Sequence, residues 1–144
     1  MWCKRADMIV HESDPYNAEP PRAGLHETLT PADSFYVRNH GPVPQLDAAT
    51  WTLEVTGLVA EPVRFTLERL REEFAHHTVT ATMQCAGNRR EGFLEVRDVP
   101  GEDPWGPGAT STARWTGVRL ADVLRAVGVQ DSTCPAESLS LIHI

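Results

Sequence analysis

Basic residues are scarce in this chain. Its 13 Lys and Arg stand against 20 Asp and Glu, a formal net charge of -7. A nucleic-acid or membrane-surface binder carries a basic face, so this balance argues against both classes. Long apolar runs are missing too, and none approaches the roughly 18 residues of a membrane helix. The opening "MWCKRADMIVHESDPYNAEPPR" has early charges but no apolar stretch, so no secretory or twin-arginine leader is expected and a cytoplasmic protein is. Cysteine is limited to Cys3, Cys85 and Cys134. That odd count at wide spacing makes no disulfide framework and no CxxC pair for zinc, so reduced thiols are expected. Repeats and low-complexity tracts are absent. What remains is 144 residues, one domain or part of one, with 41% hydrophobic residues to build a modest core.

Residues 1–34, rich in Pro, Glu, Asp and Ala, predict an extended arm lying on a larger body. "SFYVRNHGPVP" starts as a short strand and breaks at Gly41-Pro42 and Pro44. Trp51, Leu53 and Val55 alternate with polar neighbours, which predicts a half-buried strand ending at Gly57, with residues 62–66 as its hairpin partner. Thr66 is a good N-cap for a helix over 67–74. Residues 77–85 alternate again, placing Val79, Ala81, Met83 and Cys85 on one inward apolar face. Residues 95–114 read as irregular. Leu120, Val123, Leu124 and Val127 at helical spacing predict a helix closed by Gly128. The expected architecture is α+β: mixed, mostly antiparallel sheets with short helices and long loops.

The stretch that carries chemistry is "TATMQCAGNRREG", residues 80–92. A lone cysteine on an apolar strand face is most often a small buried hydrophobe. Here it is followed by Gly87, Asn88, Arg89 and Arg90. Nearby arginines favour the thiolate, and a thiolate prefers soft or high-valent transition metals to magnesium or calcium. Arginine's planar fork matches oxyanions, and Gly87 lets the backbone pass close to a bulky group. A nucleophilic cysteine would want a histidine base. His76 and His77 lie at the far end of the strand, more than about 20 Å away at roughly 3.3 Å per residue, and read as a polar surface pair. "FYVRNHG" supplies a second set of donors, Arg38, Asn39 and His40, either an ordinary strand end or a cradle for an anion or a phosphate-bearing cofactor.

"YVRNHGPVP" followed by "TATMQCAGNRR" resembles the molybdopterin domain of the sulfite oxidase family, which includes eukaryotic nitrate reductase. "PYNAEPPR" resembles the arm of the haem-free, plant-type sulfite oxidases, and "ARWTGVRLADVLRAVGV" a following segment. The resemblance covers roughly residues 14–130. It implies a molybdenum–molybdopterin cofactor with Cys85 as the thiolate on molybdenum. It implies Arg38 and Arg90 at the substrate anion, and Tyr36, Val37, Arg38, Asn39 and His40 along the pterin. Trp105 is similar in placement to a pocket-lining tryptophan, with ordinary core or lid packing the alternative for Trp105 and Trp115. The implied reaction is oxygen-atom transfer to sulfite, giving sulfate, in a homodimeric full-length enzyme whose electrons leave to oxygen or a cytochrome. No haem or flavin domain is visible. A nitrate reductase-type domain is the alternative, and a non-catalytic binding module that kept the fold is another.

Residues 35–138 are read as the N-terminal part of this domain, inactive alone. "LSLIHI", residues 139–144, back-translates into a common sequencing-library adapter and is expected to be read-through.

Overall fold

The computed structural model describes residues 3–129. Cys134 and the expected adapter read-through lie outside the described residues. The chain divides into two compact units. One takes the chain up to Gln45 with Thr78–Thr116, the other Leu46–His77 with the chain from Gly117 on. Among the described residues the elements are three two-stranded sheets and short helices, the α+β architecture expected. Among the described residues no helix is long and apolar enough to cross a membrane.

In the second unit, β3 (Thr52–Val55) pairs antiparallel with β4 (Val63–Thr66), Leu53 opposite Phe65. Alternation turns Trp51, Leu53 and Val55 inward. Thr66 ends β4 and caps α1 (Leu67–Glu73), its Oγ1 accepting the Arg69 amide at 3.1 Å. Val59, Phe65, Leu70, Val123 and Val127 form the core, the last two supplied by α2 (Leu120–Ala126) and its C-terminal turn. Gly128 adopts φ 63, the left-handed value that glycine takes without cost just past a helix.

The first unit departs further from expectation. Residues read as an extended arm include a hairpin, β1 (Ile9–Ser13) with β2 (Tyr16–Glu19). The second strand runs straight into the interior, with Asn17, Ala18, Glu19 and Pro20 all buried. The strand expected at residue 34 is a single bridge, because Val37 exchanges both backbone bonds with Ala18 and the ladder then stops. Asn39 next gives its amide to the Asn17 side chain instead of to another strand.

β5 (His76–Gln84) pairs with β6 (Thr110–Val118), so the stretch read as irregular ends in a long strand. Thr78 bonds Thr116 and Thr82 bonds Thr112, each step forward on β5 matching a step back on β6. β5 does not bury the expected apolar face: Val79 is 58% and Met83 49% exposed. Period-2 alternation sorts side chains to faces, but burial requires something packed on the face.

Candidate functional site

Cys85 stands one residue past β5 and is half-buried. Its amide donates to the Ala109 carbonyl at 2.9 Å, continuing the β5–β6 ladder, and its carbonyl accepts the Asn88 amide, which starts a tight turn. The Gly87 amide points at the Cys85 Sγ, 3.4 Å away. A thiolate is the form that gains from such a donor. Burial, and to a lesser degree the charge a Cys85 thiolate would carry, push the Tyr36 hydroxyl above its ordinary pKa.

Arg89 has φ 65, uncommon for a side chain with a Cβ, and is held there by its amide on the Gly106 carbonyl at 2.8 Å. Arg90 folds back over Gly87. A Cβ on Gly87 would stand 2.7 Å from Arg90 Nη2, so glycine is needed for this close approach. The guanidinium is already engaged, with Nη1 at 2.8 Å from Glu102 and donating to the Asp103 carbonyl at 2.9 Å. It lines a cavity of about 260 Å³ with Gly87, Asn88, Phe93, Arg97 and Val99.

Arg38 is exposed and lies on two other cavities. One, of about 860 Å³, includes Lys4, Asp33, Phe35, Tyr36, Val37 and Met83. The other, of about 280 Å³, includes Glu12, Asn39, His40, Glu102 and Asp103. Among the described residues no carboxylate pairs with Arg38; its Nη1 donates to the Asn39 carbonyl. Asn39 is tied down on both sides, its amide to Asn17 Oδ1 at 2.5 Å and its side chain to the Tyr16 carbonyl at 2.7 Å. Lys4 Nζ donates to the carbonyls of Ala32 and Phe35, and its burial lowers its pKa against the pull of Asp33.

The structure thus brings Tyr36, Val37 and Arg38 to one wall and sets Tyr36 near Cys85. It does not put Arg38 and Arg90 on one cavity; Glu102 and Asp103 hold Arg90 and face Arg38. Trp105, expected at a pocket wall, is 0% exposed and packs edge-on against His11, ring centroids 4.6 Å apart. Its indole Nε1 is buried without a partner. Trp115 is partly exposed, its Nε1 bonded to the Ala81 carbonyl. Sequence reasoning missed Glu19, a carboxylate buried to 1% exposure. The run "NAEPPR" signalled only an extended backbone.

Among the described residues no three His, Cys, Asp or Glu side chains cluster to hold a metal. Cys85 is a half-buried free thiol whose turn neighbours Ala86, Gly87 and Asn88 line the cavity of about 260 Å³. The walls of the cavity of about 860 Å³, apolar with Lys4 and Arg38 at hand, suit an anionic organic group.

The model of the oxidoreductase molybdopterin binding domain matches residues 40–140. Nitrate reductase (NAD(P)H) of Hordeum vulgare is 50% identical over 132 residues, 89% of this chain and 15% of that protein. The NADH nitrate reductase of Spinacia oleracea is 47% identical, over 91% of this chain and 14% of its own. The sulfane dehydrogenase SoxCD from Paracoccus pantotrophus matches with a TM-score of 0.68 at 26% identity, covering 90% of this chain and 33% of that one. The chain thus spans about a seventh of the length of the curated relatives it matches. Its fold is that of part of a sulfite oxidase-type molybdopterin domain. The chain belongs to the oxidoreductase molybdopterin-binding domain family, whose cofactor is molybdenum–molybdopterin.

Proposed function

We propose that the full protein is a nitrate reductase and that this chain carries the thiolate and the anion arginine of its molybdenum site. The observation that carries this reading is the 47–50% identity to nitrate reductases along about nine-tenths of the chain. It displaces sulfite as the first choice of substrate. Nitrate takes two electrons and two protons to give nitrite and water, and the relatives' names point to a reduced nicotinamide nucleotide as the source of those electrons.

Molybdenum supplies two-electron chemistry when bound. In this reading Cys85 would be its protein ligand, with the Gly87 amide 3.4 Å from the sulfur. Tyr36, Val37, Arg38, Asn39 and His40 would hold the pterin, with Asn39 fixing the segment through Asn17 and Tyr16. Arg38 has no carboxylate partner among the described residues; with Nη1 on the Asn39 carbonyl, the rest of its guanidinium would be left to meet a planar trigonal oxyanion. Arg90 acts from farther off: bound to Glu102 and Asp103, it shapes the turn and adds positive potential. Trp105 supports the turn from the core and does not touch the anion.

The test is the full-length enzyme assayed both ways, nitrite formed from nitrate with a reduced donor and sulfate formed from sulfite with an oxidised acceptor. A kcat/KM for nitrate well above that for sulfite is expected. Turnover of sulfite without nitrite formation overturns the substrate, and turnover of neither overturns the enzyme.

A further inference from the structure

Glu19 is placed unlike any other carboxylate among the described residues. It is 1% exposed, and a carboxylate is costly to bury unless its oxygens are satisfied. Oε1 accepts the Gly106 amide at 2.5 Å and His11 Nε2 at 2.9 Å, while Oε2 accepts the Gly108 amide at 2.6 Å. Charge-assisted bonds to two amides are strong and directional. They fix the ribbon Trp105–Ala109, where a side chain at either glycine would crowd Glu19. A Cβ on Gly106 would stand 3.0 Å from Glu19 Oε1, and one on Gly108 would collide with the Pro20 carbonyl.

That ribbon in turn holds the turn that carries the thiol. The Trp105 carbonyl accepts the Glu91 amide at 3.0 Å, Gly106 accepts Arg89 at 2.8 Å and Ala109 accepts Cys85 at 2.9 Å. The Asn88 side chain closes the circuit by accepting the Ala109 amide at 3.1 Å. The strained φ of Arg89 is maintained by one of these bonds.

We propose that Glu19 is a positioning residue for the Cys85 thiol: its carboxylate, steadied by His11, sets the ribbon from which the Cys85–Glu91 turn hangs. The catalytic consequence rests on reading Cys85 as the metal thiolate. The anion side is held by other bonds, from Asn39 to the Asn17 side chain and to the Tyr16 carbonyl.

The test is Glu19→Gln in the full-length protein, which turns one acceptor into a donor facing a backbone amide. In cofactor-free protein, hydrogen exchange at the amides of Cys85, Arg89 and Glu91 should quicken about tenfold or more, with the β3–β4 ladder unchanged. In the loaded enzyme kcat should fall about tenfold or more while KM for the oxyanion stays within about twofold. Unchanged exchange at those three amides overturns the proposal, and so does quickened exchange with kcat intact. If Glu19→Gln loosens every amide, His11→Phe decides, because it keeps the ring against Trp105 and removes only the bond to Glu19. It should loosen the three amides selectively; no loss or uniform loss overturns the proposal. Should the wild type act on sulfite, only the substrate reading falls, and the kcat and KM split is read with sulfite.

Discussion

Two glycines near the thiol predict unequal sensitivities to the same substitution. A Cβ at Gly87 would meet the Arg90 guanidinium, 2.7 Å from Nη2 and 2.9 Å from Cζ. That is the far end of a flexible side chain, so it can swing away. The swing loses the pair with Glu102, worth at most about 1 kcal/mol for a partner this exposed. It also loses the charge-assisted bond to the Asp103 carbonyl, about 1.5 kcal/mol. Gly87 has no positive φ, so alanine recovers up to about 1 kcal/mol by restricting the unfolded chain. Gly87→Ala should therefore cost about 1.5 kcal/mol locally, a roughly tenfold rise in exchange over residues 85–93. At Gly108 the obstacle is backbone, the Pro20 carbonyl, with Glu19 Oε2 at 2.8 Å. Neither can rotate away, so the ribbon must lift off Glu19. Gly108→Ala should cost about 3 kcal/mol or more, a hundredfold rise or greater. The measurement is hydrogen exchange resolved by peptide on the full-length protein. If Gly108→Ala proves as mild as Gly87→Ala, the reasoning about the ribbon is refuted.

Cys85→Ser should leave the fold intact, because among the described residues the one hydrogen bond to Sγ is long, 3.4 Å from the Gly87 amide. Turnover of the full-length enzyme should drop by about two orders of magnitude or more, measured beside its molybdenum content. Arg38→Lys keeps the charge and loses the fork, so KM for the oxyanion should rise about tenfold with thermal stability unchanged, as expected of an exposed side chain. Tyr36 should ionise above the ordinary tyrosine range in an ultraviolet titration referenced to Tyr36→Phe, and Cys85→Ser should lower that value while leaving the larger contribution from burial. The sign follows from the raised pKa. The neutral phenol's contribution to stability is complete below the unfolded value and is lost as pH climbs through the raised one.

Much of the local structure was legible in the residues alone. The Thr66 cap, the β3–β4 hairpin, α2 and its closing Gly128 follow from period and capping chemistry, which act within a few residues. The Cys85 thiol stood out by residue type beside Gly87 and two arginines, whereas Arg38 was singled out from its donor segment only by the family resemblance. Residues 110–114 were misjudged as irregular. Polar and small residues such as Thr110, Ser111 and Thr112 carry no alternation, and their strand exists because β5 offers partners 30 or more residues away.

What tertiary structure decided was which groups meet. "PYNAEPPR" says extended backbone and nothing about Glu19 reaching Gly106 and Gly108, 87 and 89 residues on. Neither do two adjacent arginines reveal that Arg90 is bound by Glu102 while Arg38 has no carboxylate partner among the described residues. The sequence by itself determined the chemistry on offer, because donor type, charge and turn propensity are properties of single residues and their neighbours. The folded chain alone decided the burial of a carboxylate and the openness of an arginine, because both depend on contacts that close long loops.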